Sequence, residues 1–161
     1  MQIQRLIIDG YSLIHRDPEM ASILHRSLSM ARQRLIRRLE EVSGSLADHI
    51  TVVFDGTAAG PGEGHEASAV EVLFSPSDKT ADTIIERMTS RHEDPTQILV
   101  VTSDRAERET VGAAGAQTMS CGDFLDLLKN HRRQVKYQSK TTRGSTPGPT
   151  LGDFFPKTGG E

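Results

Sequence analysis

Apolar residues along this chain fall in short unbroken runs that alternate with stretches of three- and four-residue spacing. Residues 3–8 read as a strand that becomes fully apolar just before Asp9-Gly10. Pro18 stands where a first helical turn begins. After it, Met20, Ile23, Leu24, Leu28, Ala31, Leu35, Leu39 and Val42 make one face of a long amphipathic helix ending near Gly44. Arg26, Arg32, Arg34, Arg37 and Arg38 take its opposite face, which reads as solvated. Residues 49–54 form a second strand, again closed by Asp-Gly, and residues 57–67 read as a flexible loop. Further strands are expected over 69–74, 97–102 and 116–119, and helices over 79–92, from Ser103-Asp104 and from Ser120. Such alternation predicts a parallel sheet sandwiched between helices by right-handed crossovers. The apolar pattern fails from Gln134, so the expected division is a folded domain over 1–133 and a tail over 134–161, basic at first and then rich in Gly, Pro, Ser and Thr.

A length of 161 residues suits one domain with a real core. The formal charge of −3 gives no global basic signature, so nucleic-acid contact has to come from local patches. The single cysteine, Cys121, excludes an internal disulfide framework and a multi-cysteine zinc site. No apolar run approaches the roughly 20 residues of a membrane span, and the first residues do not resemble a signal peptide. The expected location is cytoplasmic.

Ligands of an open parallel sheet bind beyond the carboxyl ends of the strands. Asp9, Asp55 and Asp104 each follow an expected strand there, and Asp82 lies in the first turn of the helix after Ser77-Asp78-Lys79-Thr80. Each has a bland explanation. The Asp-Gly pairs suit turns, Asp104 suits a helix N-terminus, and Asp82 suits a solvated surface. Gathered at one edge, however, like charges repel unless a hard divalent cation neutralises them. Such a site activates water for phosphodiester cleavage.

Leu6–Ile14 (LIIDGYSLI), Val52–Gly56 (VVFDG), Lys79–Glu86 (KTADTIIE) and Val100–Arg105 (VVTSDR) together resemble the YacP-like NYN domains of the PIN-like nuclease superfamily, over about residues 1–130. The resemblance implies a three-layer α/β/α fold with sheet order 3-2-1-4-5 and metal-dependent endonuclease action on RNA. It implies Asp9, Asp82 and Asp104 as ligands of Mg²⁺ or Mn²⁺, with Asp55 as a further catalytic acid, and 5′-phosphate and 3′-hydroxyl products. Messenger RNA is the expected partner, with the ribosome as a platform. The family usually carries Asn where this chain has Ser12; a hydroxyl still bonds a phosphate or a water, with altered geometry.

Substrate contacts are expected from Ser12, Ser103, His15, Arg16 and Arg105. Ser103 equally suits a plain helix N-cap. Residues 129–143 hold Lys129, Arg132, Arg133, Lys136, Lys140 and Arg143 with no acid among them, a pattern that fits RNA or a solubilising helix end. The histidines show no metal-ligand spacing. A haloacid-dehalogenase phosphatase would need an acid where Tyr11 stands. A receiver domain would need a lysine near Cys121-Gly122, and a dinucleotide fold a Gly-rich first turn. The remaining rival is a PIN-like RNA-binding adaptor whose catalysis has lapsed.

Overall fold

The structure is a computed structural model that describes residues 3–56 and 69–141; the expected loop over 57–67 and the end of the tail lie outside the described residues. Five strands form one sheet: β1 (Arg5–Asp9), β2 (His49–Phe54), β3 (Val70–Phe74), β4 (Ile98–Val101) and β5 (Gln117–Met119). All pair in parallel in the order β3-β2-β1-β4-β5, as the resemblance implies. Six α-helices connect them: α1 (Gly10–Arg16), α2 (Pro18–Arg26), α3 (Leu28–Val42), α4 (Ala81–Arg91), α5 (Arg105–Ala113) and α6 (Cys121–Thr141).

Alternation along the strands divides the core. Leu6 and Ile8 of β1, with Leu99 and Val101 of β4, pack in one cluster with Leu13, Leu35, Leu39, Phe124 and Leu128 from α1, α3 and α6. Ile7, Ile98 and Val100 face the other way, toward Ala81 and Ile85 of α4 and Val111 of α5. Both faces are therefore covered, which is why these strands read as continuous apolar runs.

Three expectations are corrected. The apolar stripe after Pro18 is two helices: Ser27 takes extended backbone, closes α2, and caps α3 by accepting from Met30 N at 3.2 Å. Leu28, read as part of the buried stripe, is exposed at this break. The arginine face is not uniformly solvated. Arg32 is buried, donates to the Tyr11 hydroxyl at 2.9 Å, and lies over the Phe54 and Phe74 rings at 6.0 and 5.4 Å. Arg38 pairs with the buried Asp17 at 3.0 Å. Finally, the stretch expected as tail from residue 134 begins as helix, since α6 continues to Thr141.

The strand order reverses between β1 and β4, since the chain builds outward through β2 and β3 before returning to the other side of β1. The crevice at the carboxyl ends of β1 and β4 is the switch point where such sheets bind ligands.

Candidate metal centre

Asp9 is the last residue of β1 and also the N-cap of α1, so the chain turns from strand to helix at the carboxylate itself. Gly10 is required at the next position because a Cβ there would run into the Phe54 ring. One turn on, Ser12 donates its hydroxyl to Asp9 Oδ2 at 2.9 Å and its backbone N–H to Oδ1 at 3.4 Å. Asp9 is buried, and that burial raises its pKa. The Ser12 bonds pull the other way, and the carboxylates of Asp82 and Asp55 push it further up.

Asp82 is half-buried in the first turn of α4. Asp55 helps place that turn: its Oδ1 accepts from the Ala81 backbone N–H at 2.6 Å, and the Ser75 hydroxyl, 3.4 Å from the same oxygen, also accepts from Gly56 N. The exposed Asp55 is thus a positioning acid beside Asp9.

The third carboxylate of the cluster is Glu107, which the sequence reading did not single out. Asp104, expected as a ligand, is the exposed N-cap of α5. It accepts from Ala106 N at 2.9 Å and Glu107 N at 3.2 Å, and its own N–H donates to Thr102 Oγ1 at 3.1 Å. That cap sets Glu107 three residues on in the first turn of α5, buried against the sheet edge. Oxygens of Asp9, Asp82 and Glu107 all lie within 4.8 Å of one another. Asp104 and Asp55 are outside this group among the described residues. The available signal was the spacing itself, because an acid three residues after an N-cap points back toward the helix start.

Both Glu107 oxygens are buried without a well-formed hydrogen bond among the described residues. Burial pushes its pKa up to about 8; the nearby Thr102 hydroxyl offsets this only partly, and Asp82 and Asp9 add to the rise. Native proteins rarely leave a buried carboxylate unpaired without a reason. Here the donor set fits a hard divalent cation, which takes carboxylate oxygens and would satisfy them.

The remaining expected site residues surround this centre. His15 and Arg16 are exposed at the end of α1, with the Arg16 guanidinium beside Gly122 at the start of α6. Ser103 is exposed and is not the cap of α5. Arg105 is exposed and pairs with Glu109 at 3.5 Å. Cys121 is buried behind the site, and burial raises its pKa, so it stays an inert thiol.

The model of the YacP-like NYN domain matches residues 6–153 of this chain. The chain belongs to the YacP-like NYN domain family. The uncharacterized protein YacP of Bacillus subtilis (strain 168) is 28% identical over 144 residues, covering 88% of this chain and 85% of its own. The crystal structure of Rae1 (YacP) from Bacillus subtilis aligns with a TM-score of 0.71 at 29% identity, over 87% of this chain and 80% of that one. Its W164L mutant aligns with a TM-score of 0.69 at 29% identity, over 89% and 86%. Membership in this NYN family supports a nuclease-type, RNA-related function for the chain. Among the described residues no helix is long and apolar enough to cross a membrane.

Proposed function

We propose that this protein is a metal-dependent endoribonuclease that hydrolyses RNA phosphodiester bonds. One observation carries the reading: Asp9, Asp82 and Glu107 bring carboxylate oxygens within 4.8 Å of one another, and those of Glu107 are buried without a well-formed hydrogen bond. Asp9, Asp82 and Glu107 would hold Mg²⁺ or Mn²⁺, which when bound would supply Lewis acidity for activating water and offsetting charge on the phosphate.

The protein's own contribution is to hold its ligands still. Ser12 orients Asp9, Asp55 anchors the start of α4 beneath Asp82, and the Asp104 cap orients the first turn that carries Glu107. Such supporting bonds set ligand geometry at metal sites. Arg16 stands exposed at the far end of α1 from Asp9 and supplies positive charge for the RNA backbone, with the exposed His15 beside it; Ser103 offers a hydroxyl at the same edge. A lapsed binding module would gain nothing from three acids crowded at one buried point, whereas an RNA-cleaving centre uses them.

The test is cleavage of a labelled mixed-sequence RNA with Mn²⁺, Mg²⁺ or EDTA, comparing wild type with Asp9→Asn and Asp82→Asn. The reading predicts cutting that needs the cation and falls more than about 100-fold in both variants, beyond what an outer-shell partner costs. Undiminished cutting in either variant would overturn it.

A further inference from the structure

The cations of α6 do not surround the carboxylates. α6 starts beside Ser120, at the carboxyl end of β5, and Lys129 lies roughly 12 Å farther along its axis at 1.5 Å per residue. Lys129, Arg132, Arg133, Lys136 and Lys140 recur at three- and four-residue intervals, which places them along one side of the helix. Arg34 and Arg38, four residues apart on α3, share with Lys129, Arg132, Arg133 and Lys136 the lining of a trough of about 490 Å³ that opens between these helices and the start of α2. A second hollow of about 400 Å³ shares Arg38, Arg132 and Lys136 and continues it past Val135. His131, buried with Nε2 unpaired, lies in that wall.

Acids neutralise only part of this charge. Asp17 holds Arg38, Glu19 holds Arg34, and Glu41 meets Arg132 at 3.6 Å. Lys129, Arg133 and Lys136 are exposed and have no acidic partner among the described residues. The chain as a whole carries −3, whereas the trough is lined by Arg34, Arg38, Lys129, Arg132, Arg133 and Lys136 against Asp17 and Glu19, so it is a local positive region on a net negative protein. Paired arginines and unpaired cations lining one trough match a string of phosphates better than a single small anion.

We propose that this α3–α6 trough is a second RNA-binding site, which grips the phosphate backbone at a distance from the carboxylate centre. The proposal rests on the reading of the protein as an RNA-directed nuclease. It gives the negative chain an attractive contact for a polyanion that its acidic mouth alone would repel.

The experiment is fluorescence anisotropy with a labelled mixed-sequence single-stranded RNA in EDTA, over a range of salt. It compares wild type, Lys129→Gln/Arg133→Gln/Lys136→Gln, and an Arg87→Gln/Arg91→Gln control on the exposed side of α4. The three substitutions leave the rim ion pairs intact, and a thermal melt confirms the fold. Expected is a ten- to hundredfold weaker affinity, roughly, and a salt slope shallower by about 2, with the control unchanged. Unchanged affinity and slope, or no RNA binding by wild type in EDTA, would overturn the proposal; the first result would leave the trough to an acidic protein surface. With Mn²⁺ and saturating RNA the triple variant keeps kcat and raises KM. Absence of cutting by wild type would count against the nuclease reading alone and leave the EDTA measurement to decide the trough.

Discussion

Replacing Glu107 by Gln is expected to make the metal-free protein more stable while removing its activity. Glu107 is 3% exposed. Burial first, and then Asp82 and Asp9, lift its pKa from 4.5 to about 8. The unfolded chain releases this proton near 4.5, whereas the folded one keeps it to about 8, so in that window the native state binds more protons and stability falls as pH rises. Each pKa unit corresponds to about 1.36 kcal/mol, which sets a ceiling of roughly 5 kcal/mol above the folded value. Water at the open mouth screens part of it, leaving on the order of 2 kcal/mol. For a protein of this size that amounts to about 4–8 °C in Tm. Gln preserves the shape but cannot ionise. Thermal melts in EDTA should therefore give similar Tm values for wild type and Glu107→Gln near pH 5, and a higher Tm for the variant near pH 9. Mn²⁺ should then raise wild type and leave the variant unmoved. Parallel pH profiles, or a variant that melts below wild type near pH 9, would refute the reasoning.

Two other perturbations test the supports of the site. Asp17 both caps α2 through Glu19 N and Met20 N and pairs with Arg38 in a largely buried position; Asp17→Ala should cost about 3 kcal/mol in urea denaturation, and a loss under about 0.5 kcal/mol would contradict the geometry. Ser12→Ala removes the hydroxyl bond that holds the Asp9 pKa down against burial. Its kcat/KM profile should keep its shape but move the acid limb to higher pH, with Ser12→Thr restoring the limb; an unmoved limb would deny Ser12 this role.

Strand content and parallel pairing were legible because both faces of the sheet are buried, so Leu6–Ile8 and Ile98–Val101 carry no polar interruption, whereas the sheet order came from the family resemblance alone. Asp9 and Asp82 stood out as candidates for a related reason: Asp9 closes an apolar run and Asp82 opens an apolar-striped helix, so the pattern marks both positions. What escaped depends on contacts that no periodicity encodes. The seven residues of α1 are too short to display a stripe, and the chain enters that helix straight from Asp9. The break at Ser27 is hidden because α2 and α3 bury neighbouring parts of the same layer, so their stripes read as one. Arg32 looks like any solvated arginine until Phe54, Phe74 and Tyr11 meet around it. Exchanging Asp104 for Glu107 follows the same logic. An acid after a strand serves equally as ligand or as cap, and only the turn of α5 shows that capping by Asp104 delivers the next acid to the cluster.

That exchange supplies the most direct test of the account. Cleavage of a labelled RNA with Mn²⁺ should be measured for Glu107→Gln and Asp104→Asn side by side, since Asn still caps a helix and spares the fold. The account predicts that Glu107→Gln loses more than about 100-fold and Asp104→Asn less than about 100-fold, the range in which an outer-shell support falls. The reverse pattern, with Glu107→Gln active and Asp104→Asn dead, would contradict it.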